Sequence, residues 1–409
     1  MKPPSQSNSS AHGGFWRFWS VEVVTDTGIG LAFIAFQTII VLDLGGGATE
    51  VGWLQSVRWL PYVVLGLLVG ALVEGYRRRT VMILSDLVRA LVLAGIGVLW
   101  LVGIGDVWLL LVAVLLLGTA SLFNDSASQA FVPRLVARDG LLQAHQRLDA
   151  GANAAQSAGP ALSGAIIGWL GAPISLLAAG FAHLVSVLTL VTLRVDEPPA
   201  GRPKRLGSSM LAGLRFVHRH PRLGPFARWT HAWFLCNGAA MTLFTPLILL
   251  DLDAGPAGLG VALGVLGGAT LAGTLLAGFI AGRLGLAGTV IAERATMPFA
   301  WGAIALAGLL PLPRPASLVV LFAGIVVLGI VMGMSNPSEM ALRQQATPDR
   351  MQARMNATMR TVNRSMIVVS APLAGVLGDA IGFGAALAVV CGGFAVAAIG
   401  LAVSSFARR

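Results

Sequence analysis

Charged side chains are scarce in this sequence of 409 residues: Asp, Glu, Lys and Arg make up 11% of it, and hydrophobic residues make up 56%. A soluble protein of this length needs charged outer faces on its helices, but runs such as 92–100 and 108–118 are apolar on every side. The chain therefore has more apolar surface than one water-soluble core can cover. The surplus is expected to face lipid.

Cysteine is also nearly missing. The two cysteines, Cys236 and Cys391, both fall in apolar stretches, which excludes a disulfide framework and a cysteine metal site and favours two small buried hydrophobic residues. The sequence contains no Gly-x-x-x-x-Gly-Lys-Ser/Thr loop, no metal-ligand spacing and no nucleophile elbow. We therefore expect neither an enzyme nor an ATP-driven pump, and no cofactor or metal.

The amino-terminal segment lacks the apolar run and the small-residue cleavage site of a secretory signal, so the first span is expected to stay in the protein. The net charge of +10 could suggest a nucleic-acid partner. However, the basic residues lie in short loops between apolar stretches instead of on one soluble face. A bilayer explains them better, and we expect no nucleic acid.

What is present is a series of apolar stretches of about 20 residues, the length that crosses a bilayer. The predicted spans are 16–42, 50–74, 80–102, 107–133, 145–169 and 172–194, followed by 222–250, 256–282, 286–311, 315–340, 353–379 and 382–406. They predict an amino-terminal bundle (16–194), a cytoplasmic linker (195–221) and a carboxy-terminal bundle (222–406), with tails 1–15 and 407–409. The predicted fold is all-α with twelve membrane helices.

Loop charges predict the orientation of these spans. Basic residues such as Arg77, Arg78 and Arg350 fall on the linker side, whereas Asp43 and Asp379 fall on the opposite side. The positive-inside rule places the basic side in the cytoplasm. We expect a multi-pass inner-membrane protein with both termini cytoplasmic, and we expect it to be a monomer.

The two groups of six spans resemble each other, because RLDAGANAAQSAGPALSG (147–164) enters the fifth span much as NRSMIVVSAPLAG (363–375) continues the eleventh. Pro160 and Pro372 interrupt these spans at matching places, where they serve helix packing or allow bending. Two parallel repeats related by pseudo-symmetry predict a substrate cavity between the bundles near the midplane of the membrane.

The stretch GALVEGYRRRTVMILSDLVRA (70–90) resembles the loop between the second and third helices of the major facilitator superfamily, with Glu74 in place of the usual Asp and Arg77 in place of the usual Gly. Segments 121–136, 158–164, 214–221 and 342–364 resemble the branch that contains macrolide-efflux and enterobactin-exporter proteins. The resemblance covers nearly the whole chain. It implies transport by alternating access, but its motifs specify the fold more than the cargo.

Charged residues inside spans are costly and indicate function. At the helical rise, Asp26 lies about 15 Å into the first span, and Glu22 lies one turn below it on the same face. Two carboxylates this close repel each other, which favours proton uptake, so Glu22 and Asp26 form the predicted proton site. The alternatives are an interhelical hydrogen-bond network or pairing with Arg58. Arg58 could instead bind an anionic part of the cargo.

Two further sets of candidates remain. His183 and Asn237 join Arg58 as candidate substrate-binding residues, although a lone membrane histidine more often hydrogen-bonds a neighbouring helix. A charge network at the cytoplasmic ends, partly implied by the family resemblance, is expected to control gating; its predicted members are Glu74, Arg78, Arg79, Asp86, Arg89, Asp125, Arg147, Glu339 and Arg360. Asp125 is predicted to pair with Arg147 or Arg360 or to line the cavity. The spacing of Glu339 and Arg343 allows a local interaction in the next turn, but anchoring of the helix end is the favoured interpretation.

These observations predict a secondary active transporter that exports a small amphipathic molecule, such as a drug, a macrolide or a siderophore-like compound, by proton antiport. A uniporter or importer of a small metabolite is the first alternative. A receptor or scaffold that has kept the fold without transporting is the second.

Overall fold

A computed structural model describes residues 8–136, 140–193, 195 and 207–406 of the chain. All regular secondary structure in these ranges is helical. Because a bilayer offers no hydrogen bonds to the backbone, helices that satisfy their own amide groups are the expected solution for such an apolar chain.

The first half of the chain contains seven helices, of which α2 and α3 are the two parts of one span broken at Leu65. They are α1 (Asn8–Thr38, continued by a π-helical turn at Ile39–Asp43), α2 (Ala48–Val64), α3 (Gly66–Glu74), α4 (Arg78–Leu101), α5 (Val107–Leu135), α6 (Leu141–Leu170) and α7 (Ala172–Thr192).

The second half begins with helix α8, Gly207–Arg219, within the predicted linker. It is followed by α9 (Leu223–Pro246, continued by a π-helical turn at Leu247–Asp251), α10 (Gly255–Leu309), α11 (Arg314–Gln345), α12 (Asp349–Ile381) and α13 (Phe383–Val403). Helix α10 has 55 residues, and Gly285 divides it with φ 70° and ψ 166°, a conformation that only glycine adopts readily. Its two parts are each long enough to cross the membrane.

Nine helices of the described ranges are long and apolar enough to span a bilayer. Counting α10 as two, and adding α6 and the broken α2–α3 helix, gives the twelve crossings. The prediction of an all-α protein with twelve spans is therefore confirmed.

The two halves repeat each other in detail. The π-helical turns Ile39–Asp43 and Leu247–Asp251 end the first span of each half. Gly45 and Asp253 then have positive φ angles of 65° and 45°. Gly171 and Gly382, with φ near 85° and 88°, join the last two spans of each half. These matching irregularities support two copies of one six-helix unit.

The two ends of the molecule differ. We call the end with α8 and the α3–α4 turn the linker end, and the other end the distal end. At the distal end, α2 crosses α12 so closely that a Cβ atom added to Gly52 would lie 2.4 Å from the carbonyl oxygen of Ala371. Helices α6 and α10 approach similarly, at Gly164 and Gly260.

A carboxylate also joins the bundles at the distal end. Asp379 of α12 accepts hydrogen bonds from the backbone N–H groups of Ala48 and Thr49, both at 2.9 Å, and so caps the first turn of α2. Nearer the linker end, a cavity of about 280 Å³ separates the bundles, with Gln129 and Asn356 on opposite walls. The structure is thus in a state that is closed at the distal end.

Candidate functional site

A cavity of about 460 Å³ lies at the centre of the molecule, within the size range of small-molecule sites. Helices α1, α2, α4, α5, α6 and α7 form most of its wall, and α12 contributes Arg364. The wall combines aromatic with charged side chains: Phe33, Phe36, Trp59, Tyr62, Asp26, Arg58, Arg89, Asp125, His183 and Arg364. Such a surface can bind an organic molecule that has both apolar and polar parts.

The predicted proton-site residues lie at different depths in the wall. Asp26 lines the cavity. Glu22, one helical turn away on α1, is half-buried beside Ser128, and its strongest electrostatic interaction is with Asp26. The structure therefore brings the two carboxylates of α1 together, with one of them accessible from the cavity.

Arg58 does not pair with either carboxylate of α1. Its guanidinium carbon lies 4.3 Å from the centroid of the Phe33 ring and 5.1 Å from that of Trp59. Among the described residues it forms no ion pair within 4.0 Å. The alternative of an ion pair with Glu22 or Asp26 is thus wrong, because aromatic rings hold the guanidinium by cation–π contacts instead.

Asp125 has a different partner from the one that its position predicts. Its Oδ2 accepts a hydrogen bond from the Tyr62 hydroxyl at 2.8 Å. Arg147 lies over the Trp16 ring, 5.0 Å from the centroid, on the exposed surface of α6. The predicted Asp125–Arg147 pair is therefore wrong. Asp125 and the exposed Arg360 both line the cavity at the linker end without forming an ion pair.

A buried cluster around Asp86 ties α4 to α7. Asp86 pairs with Arg89 at 2.9 Å and accepts a hydrogen bond from Ser186 at 2.5 Å, and His183 Nδ1 lies 3.3 Å from its Oδ1. Arg79 donates to the Leu190 carbonyl at 2.7 Å. These contacts join two helices of one bundle.

The structure gives the positions of Arg78 and Glu74, two other members of the predicted network, along their helices. Arg78 begins α4. The side chain of Glu74 lies outside the described part of the structure, although its backbone ends α3.

A second charged cluster in the apolar interior of the other bundle was missed by the sequence interpretation. Arg294 on α10 pairs with the adjacent Glu293 and, at 2.5 Å, with Glu339 on α11. Arg343 donates to the backbone carbonyl of Glu339 at 3.4 Å, a local interaction one turn apart, while the Glu339 carboxylate pairs with Arg294. The available signal was the charged pair within the predicted span 286–311, where only a partner on a neighbouring helix makes burial tolerable.

Three further candidates are placed as follows. Pro160 lines the cavity, and Pro372 lies at the crossing with Gly52. Asn237 lies on α9 outside the described lining of the cavity, and its Oδ1 is buried without a hydrogen-bond partner among the described residues.

Two helical bundles that close over a central amphipathic cavity define a multi-pass membrane transporter. Residues 18–371 match the family model described as Major Facilitator Superfamily, and the chain belongs to this superfamily. The predicted family membership is therefore confirmed.

Curated relatives agree with this assignment. The chain is 27% identical to the multidrug efflux pump Tap of Mycobacterium tuberculosis (strain ATCC 25618 / H37Rv) over 383 residues, which cover 90% of this chain and 88% of the relative. It is 30% identical to the multidrug efflux pump Tap of Mycolicibacterium fortuitum, over 49% of this chain and 51% of that protein. An uncharacterized MFS-type transporter, y4rN of Sinorhizobium fredii (strain NBRC 101917 / NGR234), is 26% identical over 85% of this chain and 84% of its own length.

Solved structures show the same fold. The nucleoside transporter NupG (D323A mutant) superimposes with a TM-score of 0.79 at 12% identity, covering 95% of this chain and 98% of its own. A bacterial homologue of the iron transporter ferroportin, in an inward-facing state, gives 0.73 at 16% identity and covers 97% and 98% of the two chains.

Proposed function

We propose that this transporter exports a small amphipathic organic molecule and is driven by protons that bind at Asp26 and Glu22. The central cavity carries the proposal, because it places an ionisable carboxylate in an aromatic wall at the boundary between two bundles. The similarity to relatives named multidrug efflux pumps supports export as the direction.

The carboxylates of α1 provide a physical basis for proton coupling. A charged carboxylate in the middle of a membrane helix costs about 2.5 to 3.5 kcal/mol on insertion scales. Glu22 and Asp26 also repel each other across one helical turn. One proton bound by the pair relieves both costs and is released when the cavity opens to the other side.

The cavity wall favours amphipathic cargo. Phe33, Trp59 and Tyr62 line the cavity with aromatic surface that suits an apolar skeleton, whereas Asp26 and Arg58 offer charge to its polar groups. We include Arg58 and His183 in the substrate site. Asn237 would join them only if the bundles rearrange, because it lies outside the described lining in this state.

We further propose that the linker end faces the cytoplasm of a cell with the protein in its inner membrane, since the basic loops lie at that end. In this orientation the state closed at the distal end is inward-facing. The charged residues of the gating set at the linker end, including Arg360 and Asp125, would then approach each other when the transporter turns outward.

The first experiment is a flux measurement in liposomes that contain a pH-sensitive dye. Macrolides, catecholate siderophores and cationic dyes are screened for proton movement that depends on the cargo. We expect Asp26→Asn to reduce this movement at least about tenfold, as for loss of a group worth about 1.4 kcal/mol or more. Asp106→Asn is the matched control, because Asp106 only caps its own helix at Leu109.

The other functions give different results in the same assay. Cargo flux without proton movement in the unaltered protein would identify a uniporter. Inward accumulation of cargo in cells would identify an importer. A folded protein in which none of these cargoes moves, and in which Asp26→Asn has no effect, would indicate a receptor or scaffold.

A further inference from the structure

Two guanidinium groups from opposite bundles approach the same indole ring in the cavity. The guanidinium carbon of Arg58 on α2 lies 5.1 Å from the centroid of Trp59, and that of Arg364 on α12 lies 4.5 Å from it. Arg364 also lies 4.2 Å from the Tyr62 ring. The two cations are close enough to repel each other electrostatically.

Within the described structure, no carboxylate neutralises this pair directly. Neither arginine has an ion pair within 4.0 Å there. One terminal nitrogen of Arg364 is buried without a hydrogen-bond partner among the described residues. Asp125, whose charge acts on both arginines without forming an ion pair, already accepts a hydrogen bond from Tyr62. Two cations that repel each other and keep free N–H groups form a site for an anion, which could bridge them.

A free negative charge lies elsewhere in the same cavity. Asp26 on α1 lines the cavity and forms neither an ion pair nor a hydrogen bond with the described residues. Glu22 lies one turn away on the same helix, the charges of Asp125 and Arg89 act on Asp26 from neighbouring helices, and Arg89 is already paired with Asp86. Asp26 therefore offers a separate position for a cationic group.

From this arrangement we propose that the cargo is a zwitterion with an aromatic or otherwise flat apolar skeleton. Its acidic group binds between Arg58 and Arg364, its skeleton lies against Trp59, and its basic group binds at Asp26. The proposal rests on the proposed function, since it takes the central cavity as the transport site.

The zwitterion explains how one cavity can couple cargo to protons. A proton on Asp26 removes the charge that holds the basic group, so proton and cargo compete for this residue, as antiport requires. A purely anionic cargo would be held more strongly when Asp26 is protonated, and it would travel with the proton. Because Arg364 belongs to the other bundle, the acidic group also joins the two bundles when the cargo is bound.

The test uses three dyes with one ring skeleton in fluorescence polarisation with the purified full-length protein. Rhodamine 110 is a zwitterion, its methyl ester rhodamine 123 is a cation, and fluorescein is an anion. We expect rhodamine 110 to bind at least about tenfold more tightly than either of the others, as for one charge-assisted contact worth about 1.5 to 3 kcal/mol. We expect Arg364→Gln to lower the affinity for rhodamine 110 to that for the ester, and to leave the affinity for the ester unchanged. We expect Asp26→Asn to bind rhodamine 110 no more tightly than fluorescein.

Arg283 supplies the matched control. Its guanidinium carbon also lies over an aromatic ring, 4.2 Å from the centroid of Phe279, but on the exposed surface. Arg283→Gln removes the same charge and should leave all three affinities unchanged. Arg364→Lys keeps the charge and should retain part of the preference for the acid, which distinguishes binding from a folding defect.

Three results would contradict the proposal of a zwitterionic cargo. They are equal or tighter binding of the ester, equal weakening of all dyes by Arg364→Gln, and binding of none of the three. If proton-coupled flux of another cargo persists in that case, the exporter stands and the zwitterion fails. A clear preference for rhodamine 110 without proton movement in the liposome assay would reject the proton coupling and leave the zwitterion site.

Discussion

A single guanidinium pairs with two carboxylates in the carboxy-terminal bundle, one buried and one partly buried. Arg294 and Glu293 have only 2% and 1% of their side-chain surface exposed, and Glu339 has 12%. Removing the cation would leave two carboxylates in an apolar interior, and breaking a buried pair in this way costs about 3 to 5 kcal/mol. We predict that Arg294→Met lowers the unfolding temperature of the detergent-solubilised protein by many degrees.

The companion variants make this prediction specific. Replacing the whole cluster by neutral groups (Glu293→Gln, Arg294→Met and Glu339→Gln) should recover much of the loss, because no charge is then left unpaired. Arg283→Met, on the surface, should change the unfolding temperature little. If the single and triple variants were equally unstable, the loss would come from packing instead of from charge.

For single residues, the sequence predicts the depth in the membrane better than it predicts the interaction partner. Counting residues from the start of the first span placed Asp26 deep in the membrane, and both Asp26 and the candidate binding residue Arg58 line the central cavity. The same count could not show that Arg147 faces Trp16 or that Glu339 faces Arg294. Partners depend on which helix lies alongside, and helical periodicity carries no information about neighbours that are distant in sequence.

Among the helices, the crossing of α2 and α12 depends on the small size of Gly52. A Cβ atom there would lie 2.4 Å from the Ala371 carbonyl oxygen, and backbone atoms cannot move aside as a flexible side chain can. We predict that Gly52→Val prevents closure of the distal end and shifts the protein toward the state open at that end. Electron paramagnetic resonance should then give longer distances between spin labels on the distal ends of α2 and α12. We expect the transport rate to fall at least about tenfold.

Gly95 on α4 is the control for this substitution, because a Cβ atom there meets nothing within 4 Å. Gly95→Val should leave the spin-label distances and the transport rate unchanged. Unaltered distances in Gly52→Val would mean that the crossing tolerates the added methyl groups.

The helices themselves were largely predictable, because apolar length is a strong signal. Their irregularities were not. Apolar composition, the signal used to predict the spans, does not register local changes of backbone geometry. Examples are the break at Leu65, the π-helical turns after α1 and α9, and the division of α10 at Gly285. Once the repeat is known, however, the parallel segments IIVLDLG (39–45) and LILLDLD (247–253) are visible in the sequence.

For the whole molecule, one carboxylate at the distal end influences the equilibrium between the states that are closed and open at that end. Asp379 joins α12 to the first turn of α2 through two hydrogen bonds, and it also interacts favourably with the positive end of the helix dipole. We predict that Asp379→Ala destabilises the state closed at the distal end by about 1 to 3 kcal/mol. An engineered cysteine on the cavity wall should then react faster with a membrane-impermeant thiol reagent added from the distal side.

Asp106→Ala is the matched control, because Asp106 caps α5 within its own bundle and joins no second bundle. It should lose helix-capping stability without changing the reactivity of the cysteine. Equal reactivity in Asp379→Ala and in the unaltered protein would show that helix packing alone keeps the distal end shut.

The two-bundle architecture followed from six spans, a polar gap and six spans, together with the resemblance of residues 70–90 to one superfamily. The state of the molecule did not follow, since both states of a transporter share one sequence and differ only in which contacts between bundles are formed.

The walls of the central cavity are divided unequally between the two halves. Among the described residues, every one that lines this cavity except Arg364 belongs to the first half of the chain. On the proposed function, selectivity depends mainly on side chains of the first half, and the second half contributes Arg364 to the position that binds the acidic group. New cargoes could then evolve by substitutions in α1, α2 and α5 alone, without disturbing the charged cluster that stabilises the other half.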